Sequence, residues 1–156
     1  MKILGIDPGS TLIGFGLIEE SGSELKVLDY GLIKIKAKEF KEKIYEINKE
    51  LDGLIKKTSP DLVGLEQIFF AKNKKTAIEV AQARGVIAAC VLKQQISLLE
   101  ITPNEVKSFV AGYGAADKEA VAKMTAAILK MEKIKEDNTA DALAIAIATG
   151  IKAKQL

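Results

Sequence analysis

The order of strand-like and helix-like segments constrains the fold most. Three apolar, strand-like segments come first and are joined by short turns rich in glycine and serine, which predicts an antiparallel meander. Helical and strand patterns then alternate, and a meander followed by such alternation predicts a mixed sheet with helices on both faces. The predicted strands are 3–7, 12–20, 24–36, 61–66 and 97–101, and the predicted helices are 39–57, 74–95, a short one from 102, 117–131 and 138–152. We therefore predict an α/β fold with a mixed five-stranded sheet, in a single domain over residues 1–156.

The predicted helix at 74–95 is apolar on nearly every face. Alanine, valine, isoleucine and leucine recur through it without a continuous polar stripe. A helix that is apolar all round is buried all round, so one face should cover the sheet while the other needs a second cover. A second copy of the chain or the C-terminal helices could provide that cover, and we favour a homodimer.

The sequence contains no histidine, which limits the chemistry available. Histidine-based Ser and Cys triads, histidine general bases and His-ligated zinc are excluded. The single cysteine, Cys90, excludes an internal disulfide and a CxxC metal motif. No segment resembles a targeting peptide or is long enough to cross a membrane, so we expect a cytoplasmic protein without membrane attachment. Hydrolytic chemistry would depend on carboxylates, lysines or a hard metal ion held by oxygens.

The 23 basic residues barely outnumber the 21 acidic ones, but their distribution is uneven. All except Arg84 are lysines, which cluster at 34–43, 56–57 and 72–75. Lysine is a point charge suited to phosphate, whereas bidentate reading of guanine favours arginine. A nucleic acid partner would therefore be recognised through its backbone and shape. A solvated lysine and glutamate surface accounts for the same count equally well.

Three acids stand at the ends of separate apolar segments. Asp7 and Glu66 each end an apolar strand, and Asp141 lies in the first turn of the last predicted helix. Asn138 precedes Asp141 by three residues and projects from the same helix face. Converging carboxylates in a protein without histidine predict an oxygen-ligand site for Mg²⁺ or Mn²⁺. Two such ions would suit phosphodiester hydrolysis.

Each of these residues also has a structural interpretation. Asp7 precedes a Pro-Gly pair and could simply open a turn in which Gly9 takes a positive φ. Asp141 could favour the helix dipole. Asn138 or Asp137 could serve as the N-cap of the last helix.

Two further segments carry aromatic rings or lysines near these acids. Phe69, Lys72 and Lys74 follow directly after Glu66, so this segment could wedge at an unstacked base and hold phosphates. Two core phenylalanines and a solvated lysine run are the alternative.

The second segment contains a glycine-rich turn before a helix that Asp117 should cap. Lys107 and Lys118 flank this turn and could stabilise phosphate charge. Ordinary surface lysines are the alternative.

Four blocks of the sequence resemble the RuvC-type Holliday junction resolvases. They are ILGIDPGSTLIGFGLIE, LVGLEQIFFAKNKKTAIEVAQARGV, TPNEVKSFVAGYGAADKEAV and TADALAIAIA, in the family's order and at its spacing. The resemblance implies a ribonuclease-H-like fold, a homodimer and Mg²⁺-dependent symmetric nicking of four-way DNA junctions. It also implies cooperation with the RuvA and RuvB branch-migration proteins.

The resemblance also assigns roles to individual residues. Asp7, Glu66 and Asp141 match three of the family's four acidic catalytic positions, Phe69 matches its junction-facing aromatic residue, and Lys107 and Lys118 match its accessory lysines.

Asn138 departs from the family pattern, which has an acid at this position. Its amide oxygen can bind a hard cation but supplies neither charge nor a general base. We expect retained catalysis, with Asn138 as a weaker ligand or a water-positioning group. Asp137 could take its place only if the start of the helix shifts. The alternative is a catalytically impaired protein that binds junctions without cutting them. An ATPase of the actin and sugar-kinase type is disfavoured because the chain is too short for two such domains.

Overall fold

Five strands form one mixed sheet in the order β3-β2-β1-β4-β5. The computed structural model describes residues 1–68 and 74–156, without the side chains of Lys74 and Lys75. The strands are β1 (Lys2–Asp7), β2 (Leu12–Ser21), β3 (Glu24–Lys34), β4 (Leu62–Glu66) and β5 (Ser97–Ile101). β2 pairs antiparallel with both β1 and β3. β4 pairs in parallel with β1 on one side and with β5 on the other. The predicted five-stranded mixed sheet is confirmed, and its meander forms one half of it.

Helices cover both faces of the sheet, as predicted. They are α1 (Phe40–Thr58), α2 (Lys74–Lys93), α3 (Pro103–Ala111), α4 (Lys118–Ile128) and α5 (Asp137–Ala153). α1 and α2 share a core with Leu4 and Ile6 of β1. α3, α4 and α5 share the other core with Ile3, because neighbouring side chains of a strand point to opposite faces. No helix in the described ranges is long and apolar enough to span a membrane.

Helix caps set where the helices near the sheet edge begin. Thr102 and Glu105 form a reciprocal capping box at the start of α3. Asp117 caps α4 by accepting a hydrogen bond from the Ala120 N–H, as the sequence predicts. The predicted Asn138 or Asp137 cap of α5 is wrong, because Glu136 occupies the N-cap position and makes no side-chain cap hydrogen bond among the described residues.

The expected positive φ at Gly9 is also wrong. The glycines with positive φ in the described ranges are Gly22 and Gly112, which lie in the β2–β3 turn and at the end of α3. A side chain at position 9 is excluded for a different reason, since a Cβ there would lie 1.9 Å from the Leu12 carbonyl oxygen.

A group of sheet glycines lets α5 lie directly against the strands. These glycines are Gly5 in β1, Gly14 and Gly16 in β2, and Gly64 in β4. A Cβ at Gly5 would come within 2.1 Å of the Ala142 carbonyl oxygen, and one at Gly14 within 2.1 Å of the Asn138 carbonyl oxygen. The small alanine side chains along α5 leave room for this approach, and the strand glycines supply the other half of the space.

α2 packs on one side only within a single chain. Ala83, Ile87 and Val91 are buried in the core shared with α1 and the sheet. Ile78 and Leu92 on its other side are 60% and 59% exposed. The C-terminal helices do not provide the second cover, because they pack on the opposite face of the sheet.

Candidate active site

Asp7 and Glu66 stand at the carboxyl ends of two adjacent parallel strands. β1 and β4 pair with Gly5 opposite Gly64, and each acid lies two residues beyond its glycine. Side chains two residues apart in a strand point to the same face. Both glycines face α5, so both carboxylates lie on the α5 side of the sheet.

The start of α5 brings Asn138 and Asp141 to the same edge. The Asn138 backbone lies over Gly14, which is the register partner of Asp7 in β2. Asp141 follows three residues later on the same helix face. Asp137 is instead 84% exposed. The structure therefore gathers the four sequence-predicted residues around the ends of β1 and β4.

Burial and mutual repulsion act on the strand-end acids. Burial, followed by the negative charges of Glu66 and Asp141, raises the pKa of Asp7 from 3.8 to about 7. Burial and the charge of Asp141 likewise raise the pKa of Glu66 from 4.5 to about 7. Lys118 opposes both shifts. Raised pKa values of this kind are expected for buried carboxylates that lie close to one another.

Lys118 opens α4 and brings a positive charge to the acids. Its Nζ lies 2.8 Å from the Asp141 carboxylate and 3.7 Å from that of Asp137. The hydrogen bond to Asp141 is the main reason why the pKa of Lys118 is raised. Lys118 is therefore brought to the acids, whereas Lys107 on α3 is half-buried and forms no ion pair with the described acids.

The donors of the site are all oxygens, which suits a hard divalent cation. In the described part of the chain, no three acidic or cysteine side chains converge tightly enough to form a ready-made cage. Asp141 pairs with Lys118 instead. The oxygen donors of the four residues fit the chemistry of a hard cation.

Three of the predicted DNA-contacting residues cannot be placed. Phe69 and Lys72 lie outside the described residues, and so does the side chain of Lys74, whose backbone begins α2.

Two features beside the acids are not predicted from the sequence. The first is the glycine group under α5. The sequence signal that indicates it is that Gly14 and Gly16 are two residues apart, as are Gly64 and Glu66. The second is Arg84, whose Nε donates a hydrogen bond to the Glu66 carbonyl over 3.0 Å. Its signal is that it is the only arginine in the sequence.

The raised pKa of Asp7 predicts how stability depends on pH without metal. Well below pH 4 the carboxyl is protonated in both the folded and unfolded states, so it imposes no penalty. As pH rises towards 7, the unfolded chain releases the proton while the folded chain retains it, and stability falls. Asp7→Asn should therefore be more stable than the wild type by on the order of 2 kcal/mol at pH 8 but by only about 0.5 kcal/mol at pH 4.

Urea denaturation in a chelator at the two pH values measures this difference. Added Mg²⁺ or Mn²⁺ should stabilise the wild type at pH 8, because an ion that binds only the folded state raises its stability. A wild type that is as stable as Asp7→Asn at pH 8 in chelator would contradict the carboxylate cluster.

Comparison with known proteins identifies relatives along almost the whole chain. A family model described as crossover junction endodeoxyribonuclease RuvC matches residues 3–149. The protein of that name from Halothermothrix orenii is 45% identical over 152 residues, which cover 96% of this chain and 92% of the relative. Its counterpart from Thermosipho melanesiensis is 40% identical over 156 residues, covering 99% of each.

Solved structures of the same family share the fold. The Thermus thermophilus RuvC structure superposes with a TM-score of 0.89 at 30% identity, covering 99% of this chain and 96% of that one. The T. thermophilus RuvC in complex with a Holliday junction substrate gives a TM-score of 0.88 at 27% identity over the same shares. The expected ribonuclease-H-like fold and the expected class of nuclease are confirmed by these relatives. The chain therefore belongs to the RuvC family of crossover junction endodeoxyribonucleases.

Proposed function

We propose that this protein resolves four-way DNA junctions by paired, symmetric, metal-dependent nicks in recombination and repair. The observation that carries the proposal is the gathering of Asp7, Glu66 and Asp141 at the ends of β1 and β4, beneath the first turns of α5. Support for the proposed substrate comes from the T. thermophilus relative, which is described in complex with a Holliday junction. The relatives are named as endonucleases, and nothing in them supports the alternative of a protein that binds without cutting.

Asp7, Glu66 and Asp141 would hold Mg²⁺ or Mn²⁺, in a pair of ions. When bound, such ions supply Lewis acidity, activate water and neutralise charge that develops on the phosphate. Asp7 lies between Glu66 on β4 and Gly14 of β2, over which Asn138 lies, and would be one of the metal ligands. The ends produced would carry a 5′-phosphate, because the 3′ oxygen is the leaving group that the family resemblance implies.

Lys118 would serve both the acids and the DNA. Its ammonium pairs with Asp141 across 2.8 Å. If Asp141 held a metal ion, the Lys118 Nζ would be free to contact a phosphate oxygen of the DNA. Lys107, Phe69, Lys72 and Lys74 would contact the DNA around the site.

Asn138 would be the fourth group of the site rather than Asp137. Asn138 packs beside the β2 partner of Asp7, whereas the Asp137 carboxylate is 84% exposed and approaches only Lys118, at 3.7 Å, among the described cations. A neutral amide gives a weaker bond to a hard cation than a carboxylate does. Full activity would therefore need a higher metal concentration than a site with four acids.

Asn138→Asp should lower the metal concentration that half-saturates cleavage by about tenfold, since charge count tunes the affinity of oxygen-ligand sites. Cleavage of a synthetic junction across a Mg²⁺ titration measures this effect. Asp137→Asn is the matched control and should leave the titration unchanged. An unchanged titration for Asn138→Asp would exclude position 138 from the metal site.

A homodimer would cover the exposed side of α2. Ile78 and Leu92 are apolar and more than half exposed there, and a symmetric partner would bury the same residues on both copies. Two copies would also supply the two sites that paired nicks require, and RuvA and RuvB would be further partners.

Light scattering should give twice the mass of one chain for the native protein. Ile78→Glu should shift the protein towards the mass of a single chain, because it places a charge in the proposed interface. A native protein with the mass of one chain would refute the dimer.

The central experiment compares a synthetic four-way junction with a linear duplex of the same sequences. With Mg²⁺ or Mn²⁺ the protein should introduce symmetric nicks in the junction and leave the duplex intact. Ligation of the products without further treatment tests for 5′-phosphate ends. Equal cutting of both substrates, or binding of the junction without cutting at any metal concentration, would refute the proposal.

A further inference from the structure

Arg84 is the only arginine among the 23 basic residues, and it is largely buried beside the candidate active site. It lies on α2, and its side chain is 24% exposed. Its Nε donates to the Glu66 carbonyl, and its terminal nitrogen pairs with the Glu100 carboxylate on β5. A planar guanidinium makes two such contacts in fixed directions, whereas a lysine ammonium has no comparable fork. This one side chain therefore ties α2 to the ends of both β4 and β5.

The peptide group between Glu66 and Gln67 is held at both of its polar atoms. The Glu66 carbonyl accepts from Arg84 over 3.0 Å, and the Gln67 N–H donates to the Ile101 carbonyl over 2.8 Å. Because a peptide group is planar, holding both atoms fixes its orientation. That orientation sets the direction in which the neighbouring Glu66 side chain leaves the backbone.

The need for such a clamp arises from the position of Glu66. It is the last residue of β4, so strand pairing does not continue beyond it. Its carboxylate lies on the α5 side of the sheet, whereas Arg84 comes from α2 on the other side. The contact is to the backbone of Glu66, which separates Arg84 from the reacting atoms.

We propose that Arg84 is a positioning residue, which orients the Glu66 carboxylate for metal binding by holding the peptide group that follows it. This inference rests on the proposed function, in which Glu66 binds the metal. Loss of the Arg84 contact would leave Glu66 in place along the chain but free its side chain to turn away from Asp7.

Lys152 provides a matched control for the loss of a partly buried cation. Its side chain is 26% exposed, and its Nζ contacts the Glu105 carboxylate at 2.8 Å and the Glu100 carbonyl at 2.9 Å. It lies on α5 roughly 16 Å along the helix axis from Asp141. Lys152→Gln should therefore lower stability without disturbing the acids.

The test compares Arg84→Gln and Arg84→Lys with Lys152→Gln in two measurements. The Mn²⁺ concentration that gives half of the metal-induced rise in Tm should increase about tenfold in both Arg84 variants. The kcat on a synthetic junction should fall about 10- to 100-fold while KM stays nearly constant. A misplaced Glu66 carboxylate lowers the rate of the chemical step but not the affinity for the junction. Lys152→Gln should lower Tm yet keep the native half-saturation and kcat at temperatures where it is folded.

Glu100→Gln separates the two contacts of Arg84. It removes the ion pair but leaves the bond to the Glu66 carbonyl, so its Mn²⁺ half-saturation should stay close to that of the wild type. Arg84 variants that lose Tm but keep native half-saturation and kcat would overturn the proposal, since Arg84 would then be merely structural. A wild type that neither responds to Mn²⁺ nor cuts junctions would instead overturn the proposed function, and this inference with it.

Discussion

Asp7→Asn should reduce junction cleavage by roughly a thousandfold or more. The expected loss follows from the several kcal/mol that bound metal ions contribute to hydrolysis of this kind, at about 1.4 kcal/mol for each tenfold in rate. Asp7 stands between Glu66 on β4 and Gly14 of β2, over which the start of α5 lies, so it is central to the site. The amide has the same shape but no charge, so the fold should be retained. Initial rates on a synthetic junction in saturating Mg²⁺ measure the effect.

Junction binding by Asp7→Asn should be as tight as that of the wild type or tighter. The substitution removes a negative charge from a surface that must approach phosphates. A gel-shift titration in chelator measures binding without cleavage, and Asp137→Asn serves as a control because its carboxylate is 84% exposed. Cleavage by Asp7→Asn within tenfold of the wild type would show that the strand-end acids are not the metal site.

The elements of the fold could be predicted because their signals are local. Apolar runs bounded by turns located all five strands, and helical periodicity located α1 and α4 to within a few residues. The N-cap of α5 was mispredicted because several polar residues precede the helix, and sequence cannot decide which one adopts the extended backbone of the cap. Glu136 does so, and Asp137 instead approaches Lys118 at 3.7 Å.

The candidate site was predictable in membership but not in geometry. Asp7 and Glu66 were identifiable because each ends an apolar strand. Their adjacency depends on the parallel pairing of β1 with β4, which is a long-range contact that no local pattern encodes. The pairing of Lys118 with Asp141 likewise depends on how α4 packs beside α5. Relations between distant segments arise from packing, and sequence periodicity does not report them.

Gly14→Ala should impair stability and cleavage together, because the new methyl group would meet backbone. Its Cβ would lie 2.1 Å from the Asn138 carbonyl oxygen and 2.8 Å from the carbonyl carbon. Such a contact can be relieved only by moving the start of α5, which carries Asn138 and Asp141. We expect a loss of about 1 to 3 kcal/mol in the free energy of unfolding, as for an overpacked core. Cleavage should fall about 10- to 100-fold even where the variant is folded, because the acids are displaced.

Gly53→Ala is the matched control for this substitution. It introduces the same methyl group in the middle of α1, where a Cβ would meet nothing within 4 Å among the described residues. Alanine in a helix is favoured over glycine by about 0.5 to 1 kcal/mol, so this variant should be slightly more stable than the wild type and fully active. Urea denaturation and junction cleavage of the two variants, measured at a temperature where both are folded, separate displacement of α5 from a general effect of added volume. If Gly14→Ala matched Gly53→Ala in both measurements, α5 could not lie on the sheet at the distance that brings Asp141 to the ends of β1 and β4.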